Sequence, residues 1–175
     1  MRQFVILFTG ISGSGKSTLA NAVAKELELL GVQVSVIDGD DSRELVGNIF
    51  GHSREERMKM GRVNRMAGHY LVNSGINVIY ALVCPYEEIR KLFREFFGEL
   101  YIEVYVKADR ELCAKRDVKG LYKLCEQGKL KHINGTNDVF ETPEHSNLVL
   151  DTGRMSVGEA KEEIIGYLWR NGFIE

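Results

Sequence analysis

A three-layer α/β/α architecture, with a parallel sheet of five strands between two layers of helices, is what this 175-residue sequence predicts. Three observations predict it. Short apolar runs alternate with longer amphipathic segments five times along the chain. The runs are apolar at successive positions, as in strands covered on both faces, and not at every second position. Glycines mark the joints, most densely between the first apolar run and the first amphipathic segment.

Residues 4–9 read as the first strand and residues 10–15 as a glycine-rich loop. From 16 to 30, Leu19, Val23, Leu27 and Leu30 recur at spacings of three and four, the apolar face of a helix that Gly31 ends. Residues 32–37 read as a second strand and residues 53–74 as a long helix with Ser53 as its cap. A strand over 76–83, a helix over 86–97, a strand over 101–106 and a helix over 110–116 follow. A short strand at 148–150 and a closing helix over 156–170 complete the order. Residues 118–142 break the pattern, because Gly120, Gly128 and Gly135 stand among polar residues without an apolar period. A segment of that length inside a compact domain is expected to act as a lid.

Composition narrows the function classes. The length fits one domain over residues 1–175. With 44 % apolar and 27 % charged residues, the chain is neither disordered nor collagen-like. Its 23 Lys and Arg against 25 Asp and Glu leave a net charge of -2, without the field that a general nucleic-acid binder needs. Positive charge is instead local: residues 107–132 hold eight Lys and Arg against four Asp and Glu, either as a solvated helix face or as a phosphate-facing patch. Cys84, Cys113 and Cys125 are too few and too far apart for a disulfide framework or a paired-thiolate zinc site. His52, His69, His132 and His145 lack metal-ligand spacing, and His69 and His145 read as surface residues. No apolar stretch reaches the length of a membrane span, and the opening run has a strand's length, short of a secretion signal's core. A reducing, cytoplasmic setting without membrane partners is the expectation.

The strongest motif is Gly10-Ile11-Ser12-Gly13-Ser14-Gly15-Lys16-Ser17, a GxxxxGK[ST] phosphate loop between a strand and a helix. Glycines let the backbone turn its N–H groups toward a polyphosphate, and the following helix N-terminus adds partial positive charge. Gly10, Ser12, Gly13, Ser14, Gly15, Lys16, Ser17 and Thr18 are therefore the candidate ATP contacts. Lys16 is expected at the β and γ phosphates, and Ser17 on Mg²⁺. The fold expectation becomes a phosphate-loop NTPase. At the end of the second strand stand Asp38, Asp40 and Asp41, followed by Arg43. Such carboxylates either accept a proton from an attacking hydroxyl and orient metal-bound water, or simply cap the helix that starts near Ser42. A kinase also needs cations, and spacing alone does not choose among Arg43, Arg57, Arg62, Arg65, Arg116, Lys119 and Lys131.

Taken together, GISGSGKST, DGDDSR, YALVCPYEEIR, EVYVKADRELCAKRDVKGLYKL and NDVFETPEHSNLVLDT resemble the adenylylsulfate kinase family over nearly the whole chain. The resemblance implies phosphorylation of the ribose 3′-hydroxyl of adenosine 5′-phosphosulfate by MgATP, in sulfate assimilation, by a homodimer. It implies Asp40 as the base, Asp38 supporting Mg²⁺ and the acceptor, and Arg43 and Arg62 on the phosphosulfate. Arg116 would lie against the adenine of ATP, and Lys119 and Lys131 would belong to the lid. His52 and Ile133 stand where the family commonly holds aromatics against the acceptor's base, and Cys84-Pro85 where it has Ser-Pro. Further departures fall at Asp41, at Lys59 to Val63 and at His132 to Gly135, all on the acceptor side. They leave another 5′-modified nucleotide, such as cytidine diphosphoramidate, as a second acceptor, and a non-catalytic nucleotide-binding regulator as the reading of another class.

Overall fold

The computed structural model describes residues 2–117, 120–129 and 138–175. Its strands are β1 (Val5–Thr9), β2 (Val34–Asp38), β3 (Asn77–Ala81), β4 (Tyr101–Lys107) and β5 (Leu148–Asp151). They pair in parallel in the order β2-β3-β1-β4-β5, with β1 central: Ile6 lies level with Ile79 on one side and Ile102 on the other. The chain leaves β1 toward one edge of the sheet and later returns to fill the opposite edge. The carboxyl end of β1 is therefore a topological switch point, where sheets of this kind open a crevice.

Seven helices cover the sheet among the described residues: α1 (Lys16–Leu29), α2 (Gly39–Leu45), α3 (Arg54–Asn73), α4 (Glu87–Phe97), α5 (Arg110–Arg116), α6 (Leu121–Glu126) and α7 (Val157–Arg170). Alternation along β1 divides the core in two. Phe4, Ile6 and Phe8 point to one face, against Leu19, Val23 and Leu27 of α1 and Ile164 and Leu168 of α7. Val5 and Leu7 point to the other, among Met58 of α3 and Ile89 and Phe93 of α4. Each such side chain taken fully out of water contributes about 1.5–3 kcal/mol, so both helical layers are held by burial. The long helix α3 begins where expected, because Ser53 and Glu56 form a reciprocal capping box.

Charged groups also lie inside this core. Glu103 on β4 is fully buried and accepts hydrogen bonds from the Tyr101 hydroxyl (2.7 Å) and Arg94 Nη2 (2.8 Å). The equally buried Arg90 stands 3.8 Å from it and 3.0 Å from Glu87. Together they tie α4 to the sheet beside the switch point.

Two segments differ from expectation. The acidic stretch after β2 is already helical at Gly39, because the Asp38 carboxylate accepts the Asp40 backbone N–H at 2.9 Å and caps α2. Within the expected lid, residues 121–126 form α6, whose first turn donates from Tyr122 N and Lys123 N to the Asp117 carboxylate. Residues 118, 119 and 130–137 of that segment lie outside the described residues.

Candidate functional site

Beyond the carboxyl ends of the strands lies a cavity of about 670 Å³, and two walls of opposite chemistry form it. The first wall is the turn from β1 into α1. Gly13 and Gly15 have φ of +80° and +97°, a left-handed backbone that only glycine adopts without strain. At Gly10 a Cβ would collide with the Val106 carbonyl oxygen, so β4 packs directly under the loop. Ser12, Gly13, Gly15, Lys16, Ser17 and Thr18 line the cavity, while Gly10 and the fully buried Ser14 lie outside its lining.

Lys16 is only 8 % exposed, and its Nζ donates to the carbonyls of Gly10 and Ile11, both at 2.8 Å. The ammonium is thereby held over the loop, close to where a polyphosphate would meet the loop N–H groups. Three side chains from later in the chain brace this wall. The Thr152 hydroxyl donates to Ser14 O (2.8 Å), the Tyr122 hydroxyl to Ser12 O (2.7 Å), and Arg116 to Gly13 O and to Thr152 O (2.7 Å). Arg116 is exposed and lines the cavity.

The second wall comes from α2, α3 and the turn after β3. Asp38 and Asp40 stand across from the loop, and the Ser17 hydroxyl donates to the Asp38 carboxylate, joining the two walls. Asp40 is exposed to the cavity on the first turn of α2. Arg43 is fixed by donating through Nη1 to Phe50 O (2.9 Å) and Gly51 O (3.0 Å), and Arg57 by donating through Nε to His52 O (2.9 Å). Burial lowers the pKa of both guanidinium groups, although Glu56 partly offsets this at Arg43. Arg57 is lowered further by the positive charge of Arg43. Arg43 and Arg57 thus bring two guanidinium groups into the same wall of the cavity.

Cys84 and Pro85 close this wall. Cys84 has φ of +40°, unusual for a side-chain-bearing residue, and its carbonyl accepts from Arg90 Nη1 (2.9 Å) and Thr9 Oγ1 (3.3 Å). Burial pushes its thiol up to about 12, which makes it an inert wall group and no nucleophile.

Of the residues singled out from sequence, the cavity gathers Ser12, Gly13, Gly15, Lys16, Ser17, Thr18, Asp38, Asp40, Arg43, His52, Cys84, Pro85 and Arg116. It does not gather Arg62, which is exposed on α3 outside the lining. At 100° per residue, Arg62 stands about 140° around the helix from Arg57, whereas Met60, Gly61 and Asn64 share the Arg57 face. Lys119, Lys131 and Ile133 lie outside the described residues. Arg57, Asn64, Tyr122 and Thr152 are the contributors that sequence reasoning did not select. For the two on α3, counting turns from the Ser53 cap would have shown the shared face. Tyr122 and Thr152 carry no local signal, since they reach the loop through the fold.

Among the described residues, no group of three or more His, Cys, Asp or Glu could hold a metal ion by itself. Ser17 and Asp38 together offer hard oxygen donors of the kind that suit Mg²⁺ shared with phosphates and water. No helix among the described residues is long and apolar enough to cross a membrane.

The adenylylsulphate kinase family model matches residues 2–151. The adenylyl-sulfate kinase of Bacillus licheniformis is 41 % identical over 168 residues, covering 95 % of this chain and 85 % of its own. That of Bacillus pumilus is 40 % identical over 166 residues, covering 94 % and 84 %. A solved structure, the Mycobacterium tuberculosis APS kinase in complex with AMPPNP and APS, is similar with a TM-score of 0.90 at 30 % identity, covering 95 % of this chain and 98 % of that one. The resemblance read from scattered motifs thus extends along the sequence and through the fold, and the chain belongs to the adenylylsulfate kinase family.

Proposed function

We propose that this protein transfers the γ-phosphoryl group of ATP to the ribose 3′-hydroxyl of adenosine 5′-phosphosulfate, releasing ADP and 3′-phosphoadenosine 5′-phosphosulfate. One observation carries the reading: a phosphate loop with its lysine faces two carboxylates and two guanidinium groups across a single cavity. The relative of known structure binds AMPPNP and APS together, a donor analogue and an acceptor.

The geometry suggests how each group acts. Phosphates entering the loop replace the carbonyls of Gly10 and Ile11 as partners of Lys16, whose charge then stabilises the negative charge on the transferring group. Arg116 supports the nucleotide base at the rim. Arg43 and Arg57 hold the acceptor's 5′ anion, which orients its ribose toward the loop. Asp40, exposed at the start of α2, takes the proton of the 3′-hydroxyl as that oxygen attacks. Ser17 and Asp38 are the residues that would hold Mg²⁺, which neutralises charge on the phosphates when bound.

Further parts of the reading are a single domain over residues 1–175 and a lid at about 118–142 that shields the donor from water. The Tyr122 contact to the loop and the Glu141 N–H donated to Pro85 O (2.8 Å) support the lid, because its two described ends touch the donor and acceptor walls. Three free thiols support a reducing, cytoplasmic setting. A homodimer is part of the same proposal, and exposed Met66, Tyr70 and Phe96 on α3 and α4 offer apolar area for it. Coupled ADP release with adenosine 5′-phosphosulfate, set beside cytidine diphosphoramidate and other 5′-modified nucleotides, tests the reading, with mass analysis placing the new phosphate at the 3′ position. A faster rate with the cytidine compound would transfer the assignment to that acceptor, and no rate with any acceptor would favour the regulator.

A further inference from the structure

Glu141 stands between the two stretches that carry the acceptor wall. Its backbone N–H donates to Pro85 O at 2.8 Å, and its carboxylate accepts the Glu87 N–H at 2.6 Å through Oε2. That N–H is among those at a helix start that find no partner within the helix, and Tyr86 at the N-cap supplies no side-chain bond to it. At α3 and α7 a serine at the helix start provides the cap, whereas at α4 the cap comes from 54 residues away. The other carboxylate oxygen, Oε1, accepts from Arg54 Nη1 at 3.4 Å. Arg54 opens α3, following His52 and the Ser53 cap, and its guanidinium lies over the buried Tyr86 ring, 4.4 Å from the ring centre. One side chain thus joins the Cys84-Pro85 turn to the start of α3, and Cys84, Pro85 and His52 all line the cavity.

The preceding residue makes its contacts on the donor side. Phe140 stacks on Tyr105 of β4, with ring centres 5.9 Å apart and planes at 24°, and packs against the cluster of Ile11, Cys113 and Tyr122 beside the phosphate loop. Apolar contact therefore seats this segment independently of the Glu141 carboxylate. Removing the carboxylate leaves the seat in place and releases the acceptor wall. We propose that Glu141 is a positioning residue for the acceptor: by capping α4 and pairing with Arg54, it holds the Cys84-Pro85 turn and His52 at the separation that directs the acceptor's ribose toward the donor phosphate. Reacting groups held out of line lose much of the advantage of being bound together, so a tie remote from the chemistry can govern it. This rests on the kinase reading above and extends it to the side chain that sets the shape of the acceptor's subsite.

The test measures initial-rate ADP release with adenosine 5′-phosphosulfate for the unsubstituted protein, Glu141→Ala and Glu141→Gln, beside thermal melts. In Glu141→Ala the acceptor KM should rise about tenfold, because a charge-assisted hydrogen bond and an ion pair are lost together, while the KM for ATP stays within about twofold. Glu141→Gln keeps an oxygen for the Glu87 N–H and should bring the acceptor KM back to within about threefold of the unsubstituted value. Should the alanine variant fail to fold, Arg54→Ala removes the second tie at an exposed position and should raise the acceptor KM about threefold at an unchanged KM for ATP. A lower melting temperature with an unaltered acceptor KM would make Glu141 a structural cap and overturn the proposal. An equal rise in both KM values would overturn it as well, since the damage would then be general. Failure of the unsubstituted protein to turn over adenosine 5′-phosphosulfate would overturn the kinase reading, and the role of Glu141 with it.

Discussion

Replacing Arg57 by alanine should damage acceptor binding far more than replacing Arg62, even though both are arginines on α3 five residues apart. Arg57 lines the cavity, donates through Nε to His52 O at 2.9 Å and has its pKa lowered by burial and by neighbouring Arg43, while Arg62 is exposed off the lining. A hydrogen bond to a charged partner contributes about 1.5–3 kcal/mol. At about 1.4 kcal/mol per tenfold, the acceptor KM should rise about 10- to 150-fold in Arg57→Ala. Arg62→Ala should stay within about twofold, as befits an exposed charge outside the site. Arg57→Lys should fall between, because an ammonium keeps the charge but not the planar fork that meets an oxyanion in two places. The assay is initial-rate ADP release at saturating ATP with varied acceptor, beside thermal melts that confirm folding and an ATP titration that should not move. If Arg62→Ala raised the acceptor KM as much as Arg57→Ala, the placement of the anion between Arg43 and Arg57 would be wrong.

Lys16→Ala should lower kcat at least about 10²- to 10³-fold while circular dichroism keeps its native form, because the lost ammonium stabilises developing charge and not the sheet; near-normal turnover would rule out the phosphate-loop mechanism. Asp40→Asn should lower kcat with little change in the KM for ATP, since the amide keeps its shape but takes no proton; the opposite split would make Asp40 a binding residue. Arg90→Met should cost about 3–5 kcal/mol in urea unfolding, because Arg90 is 1 % exposed and its loss leaves fully buried Glu103 short of a counter-charge; a loss below about 1 kcal/mol would show that Arg94 and Tyr101 suffice. Iodoacetamide at pH 8 should label Cys125 before Cys84 or Cys113, since burial raises the pKa of both of those thiols, that of Cys84 to about 12; peptide mass analysis of briefly treated protein checks the order.

Much of this molecule could be read from the chain alone, because its strongest determinants are local. Burial of both strand faces leaves unbroken apolar runs such as Val5 to Phe8, and a helix that covers a sheet must repeat its apolar residues every three or four positions, as Leu19, Val23 and Leu27 do. The phosphate loop is equally local: its glycines serve backbone angles within one turn, and Lys16 folds back onto carbonyls five and six residues away. The Ser53 cap and the acidic turn at Asp38 were legible for the same reason. The tertiary structure decided what depends on direction and distance in space. Arg57 and Arg62 have the same chemistry in sequence, and only the packing of α3 against the sheet turns one into the cavity and the other toward water. Tyr122 and Thr152 reach the loop across 110 and 138 residues. Glu103 would seem an unsuitable core residue until Arg90, Arg94 and Tyr101 are seen around it. Asn64 is an ordinary polar position on a helix until the fold buries it at the edge of the cavity. Backbone propensity and periodicity act over a few residues and are written along the chain, whereas burial and charge pairing depend on which distant segments meet, and that is settled only when the sheet closes.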